Sequence, residues 1–228
     1  AQVVVHVRNL RQLSDDVDAL VAGVVAQEPP PTEMLAKGLA AVVHAGFGSD
    51  DELAQLGFDT ERDFAIALLA PDPSSFTAVI HVSDAEAVRA VIEAHQETEA
   101  VEYEGVTYMA GHEGALVFLD DLFIYSRSSI GVTRVIDVVQ GRSMAISDSE
   151  RYRAAVTTSF SETTDPSLYV DVTALAPALA AMAPPPDGPD GAGPAQGIAT
   201  MAEGIDALGL VIALDPSVPA WEVNVLFK

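Results

Sequence analysis

Apolar residues recur along the chain with two spacings: alternation over short runs, typical of strands, and a three-to-four-residue spacing, typical of helices. Residues 2–7 form a short β-branched run and predict a buried strand. Apolar residues at helical spacing from Leu10 to Val25, followed by three prolines, predict an amphipathic helix. Further helices are predicted at residues 32–44, from Ser49, from Ser83, over 129–139 and over 148–156.

Pairs of strands lie between these helices. The runs 64–69 and 76–82 are separated by APDPSS, whose prolines and aspartate favour a turn, so they predict a β-hairpin. The turn residues Glu104-Gly105 and Asp120-Asp121 separate further short apolar runs. We therefore predict a meander of antiparallel strands over residues 101–126.

Three Ser-x-x-Glu sequences precede helical patterns, at Ser49, Ser83 and Ser147. A serine hydroxyl and a glutamate three residues later can each satisfy a main-chain N–H at a helix start. We interpret these acidic clusters as helix caps, and not as catalytic carboxylates.

Two segments repeat earlier ones. LYVDVTAL at 168–175 aligns without gaps on VVVHVRNL at 3–10, and the hairpin sequence at 209–227 aligns on 64–82 with Trp221 in the place of Phe76. We predict an internal duplication, with a full first repeat at residues 1–165 and a partial second repeat at 166–228 that contains a flexible Pro/Gly loop at 183–197. The predicted fold class is α+β, a largely antiparallel sheet with helices packed mainly on one face.

The last predicted strand is apolar at Val223, Val225 and Phe227 and leaves an open sheet edge unless it pairs with something. Either it completes the sheet of the first repeat, or the natural protein is longer. We favour the second alternative, because duplicated domains usually carry two complete units. Together with Trp221, these three residues are the predicted surface for a ligand or a protein partner.

Composition indicates a folded, strongly acidic protein. Hydrophobic residues make up 49% of the 228 residues, enough to bury a sizeable core. Thirty-four acidic against 11 basic residues give a net charge of −23. Such a surface repels phosphate backbones, so we expect no nucleic-acid partner. The acidity fits either an ordinary solvated surface or a salty habitat, where screening weakens self-repulsion.

The chain has no cysteine, which excludes disulfides, a thiol nucleophile and thiolate metal sites. No run approaches 18 uninterrupted apolar residues, so the sequence predicts no transmembrane segment. The sequence begins within a strand, AQVVVHV, which is how a chain looks after removal of a leader or anchor.

One stretch also resembles a known family. VEYEGVTYM, ALVFLDDLFIYSRSSIGVTRVID, SMAISDSERYRAAV and DPSLYVDVTAL occur in this order within residues 60–175. In this order they resemble a family of uncharacterised bacterial proteins, mostly exported or lipid-anchored, whose domain has no known function. The resemblance implies a chain of two repeats in the periplasm, outside the cell or at the cell envelope. It supplies no catalytic residue.

Candidate chemistry is sparse. None of the five histidines shares an HxH or HxxxH spacing, and no nucleophile elbow, phosphate loop or complete calcium loop is present. We therefore predict no cofactor and no metal. His112, in the MAGHEG turn, is the one histidine that we consider for catalysis, with Asp120 and Asp121 as accompanying carboxylates.

These observations lead to two hypotheses. The first is a non-catalytic envelope or extracytoplasmic protein that binds a partner protein or an apolar small molecule, through a sheet face or a groove between helices and sheet. The alternative is a hydrolase or cation-dependent enzyme whose site is assembled from His112 and distant carboxylates.

Overall fold

The structure, a computed structural model, describes residues 3–7, 9, 11–12, 50–69, 75–95, 97–156, 167–175, 204–213 and 220–227. The predicted helices at 10–25 and 32–44 and the loop at 183–197 lie outside these residues. The strands are β1 (Val3–Val7), β2 (Phe64–Leu68), β3 (Phe76–His81), β4 (Thr98–Tyr103), β5 (Val106–Gly111), β6 (Gly114–Leu119), β7 (Leu122–Ser126), β8 (Ser167–Asp171), β9 (Ile205–Ala213) and β10 (Ala220–Phe227). The helices are α1 (Asp50–Gln55), α2 (Ala85–His95), α3 (Ser129–Val139) and α4 (Glu150–Val156).

All ten strands form one sheet in the order β10-β9-β8-β1-β2-β3-β7-β6-β5-β4. Every pairing between neighbouring strands is antiparallel. The α+β class with a large antiparallel sheet is therefore confirmed, and so is the meander, which forms strands β4 to β7. The strands of the predicted second repeat extend the sheet of the first through the pairing of β8 with β1.

The described helices lie on both faces of this sheet. On the front face, α3 packs over β5, β6 and β7 with Val132 and Ile136 fully buried against Ile124. On the same face, α4 packs over β8, β9 and β10, with Ala155 buried beside Tyr169. The back face carries α2, whose Val88 is buried against Leu116 and Phe123. Helices thus occupy both faces, because the apolar meander strands β6 and β7 have buried residues on each.

Buried hydroxyl groups link β3 to β7 on the front face, directly beneath the first turn of α3. Ser126 Oγ donates to the main-chain oxygen of Phe76 at 2.8 Å and lies 3.0 Å from the donating Thr77 Oγ1. A Cβ built on Gly131, in the first turn of α3, would lie 2.0 Å from Ser126 Oγ. Only a residue without a side chain lets the helix approach these strands so closely.

Two of the predicted caps differ from the structure. At α2, the Asp84 carboxylate accepts the N–H groups of Glu86 and Ala87, and the Ser83 hydroxyl donates instead to the main-chain oxygen of Gly57 at 3.1 Å. At α4, the Ser149 hydroxyl accepts the N–H of Tyr152, so this helix begins later than the Ser147 cap predicts. In both places a second residue suited to capping lies close to the predicted serine, and that residue accepts the N–H groups at the start of the helix.

One row of paired residues crosses the front face and is symmetrical about the β1–β8 pair. Val4 pairs with Tyr169, the residue that takes its place in the sequence alignment. Outward from this pair, Ala67 and Thr77 follow on one side, and Gly209 and Asn224 follow on the other. The sheet therefore places Asn224 at the position equivalent to that of Thr77.

The duplication itself stays a prediction, because the hairpin alignment and the sheet disagree. The alignment puts Trp221 in the place of Phe76, whereas the symmetry of the sheet puts Val223 there. Among the described residues, no helix is long and apolar enough to cross a membrane.

Candidate functional site

Strand β10, which carries the predicted interaction residues, lies at one end of the sheet. Within the described residues its sheet neighbour is β9. Val223 and Val225 share the back face and are 46% and 37% exposed. Phe227 is 74% exposed and follows a shift in register after Leu226. Trp221 pairs with Ile212 through the main chain, and the structure does not describe its side chain.

Val223 and Val225 are the ends of two aliphatic rows that run across the back face from β10 to β2. The pairings between strands β10, β9, β8, β1 and β2 set both rows. The first row is Val223, Leu210, Leu168, Val5 and Ile66, and the second is Val225, Leu208, Val170, Val3 and Leu68. We call these ten side chains the platform. Five strands at about 4.8 Å spacing make it roughly 19 Å wide.

The platform differs from the front face of the same strands. Each platform residue is half-buried or exposed, and none is fully buried. On the front face, Ala207 is completely buried and Tyr169 and Val211 are 3% exposed. The front face is thus a core beneath α4, whereas the platform retains contact with solvent. Large apolar side chains that keep such contact over several strands are typical of an interaction surface.

A polar cluster lies where β1 ends and β7 begins. His81 Nδ1 lies 3.2 Å from Asp121 Oδ2, and Arg62 donates a hydrogen bond to the same oxygen. His6 Nε2 lies 3.3 Å from Asp63 Oδ2. The Arg62 hydrogen bond holds the pKa of Asp121 below its usual range. The sequence separates His81 and Asp121 into a strand and a turn, and the β3–β7 pairing brings them together.

The proposed enzyme residues are divided between the two ends of β6. His112 is exposed in the turn before this strand, and Asp120 is exposed in the turn after it. Six strand residues separate these turns by about 20 Å. Asp121 faces Arg62 and His81, not His112. The structure therefore does not assemble His112, Asp120 and Asp121 into one site.

His112 lies instead in an open groove at the β4 edge. Glu97, Thr98 and Glu99 line one side of the groove, and Ala110 and Gly111 line the other. The described residues contain no group of three or more histidine, aspartate and glutamate side chains that could hold a metal ion.

A second ionic cluster fixes α4 to the sheet. Arg151 Nη1 lies 3.1 Å from Asp171 Oδ2, and Arg151 Nε lies 2.9 Å from Asp206 Oδ2. Burial opposes the charge of Arg151, but Asp206 and Asp171 outweigh it and raise the pKa of the guanidinium. Asp171 also accepts the main-chain N–H of Ala174 at 2.9 Å. Both carboxylates thus hold the Arg151 guanidinium of α4 against strands β8 and β9.

Sequence reasoning placed the candidate surface on β10 and missed most of the platform. The short β-branched run at residues 2–7 predicts a buried strand, whereas Val3 and Val5 of β1 are only half-buried on the platform. The missed signal is that β2, β8 and β9 also carry aliphatic residues at alternate positions, which the antiparallel pairing aligns into two rows.

Comparisons with known proteins give little further information. No protein-family model and no curated protein matches the chain. Among solved structures, crystal form IV of TP0453 is similar over 99% of this chain and 76% of that one, with 10% sequence identity and a TM-score of 0.48. Crystal form I of the same protein has 11% identity and a TM-score of 0.45 over 99% and 74% of the two chains. Function must therefore be inferred from the described residues themselves.

Proposed function

We propose that this chain is a non-catalytic protein of the bacterial envelope or extracytoplasmic space that binds a partner protein through the platform and strand β10. The observation that carries this proposal is the platform itself, two aliphatic rows that end at the exposed Val223 and Val225. Burying aliphatic surface stabilises an association by about 25 cal/mol per Å² of apolar area, before the costs of binding. An open sheet face of several strands suits a protein partner better than a small molecule, which usually binds in an enclosing pocket.

An apolar ligand is the second candidate. The two rows run roughly 19 Å across the five strands, since neighbouring strands are about 4.8 Å apart. This distance is about the length of an extended acyl chain. The platform offers such a chain aliphatic contacts on one side. A ligand held in this way would leave its other side to solvent or to a protein partner.

The location and the duplication belong to the same proposal. The extracytoplasmic location is supported by the resemblance of residues 60–175 to exported and lipid-anchored proteins. The duplication is supported by the order of the strands and by the Val4–Tyr169 pair, which matches the sequence alignment of β1 with β8. Cell fractionation of the native source tests the location.

Matched variants test the binding proposal. We would combine Leu208→Asp with Val225→Asp on the platform, and Val139→Asp with Met144→Asp as a control at exposed apolar residues elsewhere. Each variant is used to capture proteins from an envelope fraction and is titrated with a fluorescent fatty-acid analogue. The proposal predicts that the platform variant loses at least tenfold in the affinity of one of these associations and that the control does not. Equal binding by wild type and both variants would contradict it.

A further inference from the structure

Strand β4 lies at the end of the sheet opposite to β10, and its outer main chain has no hydrogen-bond partner within the described residues. It pairs with β5 over all six of its residues in one uninterrupted register. Edge strands often carry a bulge or a proline that prevents pairing with a further strand. Strand β4 has neither, so its backbone is regular enough to accept one.

The turn between β4 and β5 determines which main-chain groups of β4 point outward. Glu104 and Gly105 have positive φ values of 50° and 77°, which is typical of the two-residue turn that closes on a hydrogen-bonded pair. That pair is Tyr103 with Val106. Because hydrogen-bonded pairs alternate along antiparallel strands, every second residue of β4 directs its N–H and C=O groups away from β5. These outward residues are Thr98, Ala100 and Glu102.

The side chains along this edge are acidic. Glu97, Glu99 and Glu102 are exposed, and none of the three forms an ion pair within the part of the chain that the structure describes. Glu104, in the adjoining turn, lies 3.9 Å from Arg142. Two copies of this edge would place glutamates beside glutamates, so the charges oppose pairing of β4 with itself. The same charges attract a basic strand.

We propose that β4 pairs with an extended segment of a partner protein that carries basic residues at positions i and i+3. The outward main-chain groups of β4 attach this segment to the sheet as an additional strand. One basic side chain lies beside Glu99 on the front face and the other beside Glu102 on the back face, because strand residues three positions apart point to opposite faces. This site is at the other end of the sheet from the platform and does not depend on the proposed function.

The two residues between the basic positions are also restricted. In the antiparallel orientation, the first lies beside Val101 and the second beside Ala100. Val101 packs against the core beneath α3, so a β-branched residue beside it extends that apolar surface. Ala100 is exposed, so a polar residue fits beside it. The pattern expected of the added strand is therefore basic, β-branched, polar and basic, as in Lys-Val-Thr-Lys.

A synthetic peptide with the sequence STKVTKTS, blocked at both ends, tests this proposal when it is titrated into the full chain. Hydrogen exchange of individual main-chain amides is followed by NMR. At saturating peptide, we expect exchange of the Thr98, Ala100 and Glu102 amides to slow at least tenfold and exchange in β10 to stay unchanged. Attraction between charges alone would not protect alternate amides of one strand, so this pattern is specific to strand addition.

Two control peptides separate the contribution of charge from that of the main chain. STEVTETS has glutamate in place of both lysines and should give no protection, because its charges repel those of β4. STKVPKTS retains both lysines but has proline at the residue beside Ala100. It should also give no protection, because proline has no N–H to donate to the outward oxygen of Ala100.

Matched variants of the protein test the predicted role of the glutamates. Glu99→Lys with Glu102→Lys reverses the charge of the edge and should lower the affinity for STKVTKTS at least tenfold. The same variant should bind STEVTETS in its place. Glu61→Lys with Glu86→Lys is the control, since it changes the net charge equally at exposed glutamates outside β4 and should bind STKVTKTS as wild type does.

Three results would overturn the proposal. The first is unchanged exchange of the outward β4 amides at saturating STKVTKTS, and the second is equal affinity of wild type and the charge-reversed variant for this peptide. The third is protection of β4 that grows with protein concentration without peptide, together with a doubled mass in light scattering, which would mean that a second copy of the chain occupies the edge. None of these results bears on the platform, whose variants test the proposed function separately.

Discussion

Gly209 on β9 lies directly against the main-chain oxygen of Ala155 in α4, and a Cβ built on Gly209 would be 1.8 Å from that oxygen. This contact brings α4 onto the front face of β8, β9 and β10. It explains why the front face of these strands is a buried core while the platform on their back face is not. A substitution at Gly209 that displaces α4 therefore tests which side of the sheet is the core.

Gly209→Ala should destabilise the protein by about 2 kcal/mol, because the added methyl group forces α4 away from the sheet. Urea denaturation followed by circular dichroism measures this change. Gly204→Ala is the matched control, since a Cβ built on Gly204 meets nothing within 4 Å. Equal stability of the two variants would show that α4 does not pack as described.

A carboxylate placed on the front face of the β9–β10 pair should cost much more stability than one placed on its back face. Val211→Asp places an unpaired carboxylate in the core beneath α4 and should cost about 3 kcal/mol or more. Val223→Asp, at an exposed platform position on the adjacent strand β10, should change stability by less than about 0.5 kcal/mol. Thermal unfolding compares the two variants. A large loss of stability in the second variant would mean that the platform is core and not an interaction surface.

The buried Thr77–Ser126 pair should behave as a coupled unit. Ser126→Ala removes one hydrogen bond from each of three polar groups, namely Thr77 Oγ1, the Ser128 N–H and the Phe76 main-chain oxygen, and should cost about 2 kcal/mol. Thr77→Val with Ser126→Ala should cost less than the sum of the single changes, by about 1 kcal/mol. A double-mutant cycle by urea denaturation measures the coupling. Additive effects would argue against the hydroxyl pair.

The Asp121 carboxylate should contribute stability that depends on pH. Its pKa is lower in the folded state than in the unfolded state, so its contribution is present above the unfolded pKa of about 3.9 and is lost as the pH falls through the folded value. Asp121→Asn should therefore lower the urea midpoint at pH 7, and this difference should shrink as the pH falls below about 3.9. Asp120→Asn is the control, because asparagine also tolerates the positive φ of 52° at this turn. An Asp121→Asn effect that persists unchanged at pH 2 would argue against the ion pair with Arg62.

Local sequence patterns predicted many helices and strands correctly. They could not predict how helices and strands far apart in the sequence are arranged. The helix at 129–139 and the four meander strands follow from short-range periodicity and turn residues, and the structure has them at nearly the predicted bounds. The caps at Ser83 and Ser147 were wrong because neighbouring serine and aspartate residues are equally good caps by sequence. The choice between them depends on contacts such as that of Ser83 with Gly57, which is 26 residues away.

The candidate surface shows the same division. Val223, Val225 and Phe227 could be identified because they alternate along one strand. Apart from Val223 and Val225, the eight remaining platform residues could not, since only the pairings between strands β10, β9, β8, β1 and β2 align them. Similarly, His81 and Asp121 are 40 residues apart and meet only through the β3–β7 pairing.

The most direct test of the proposed binding face is photo-crosslinking in the native cells. A photoreactive residue would be placed at position 223 on the platform edge, and at position 144 as an exposed apolar control outside the strands. We expect a discrete protein adduct, or a lipid adduct for the second candidate, at position 223 and not at position 144. The absence of any adduct at position 223, or the same adducts at both positions, would contradict the claim that this face is where the protein binds its partner.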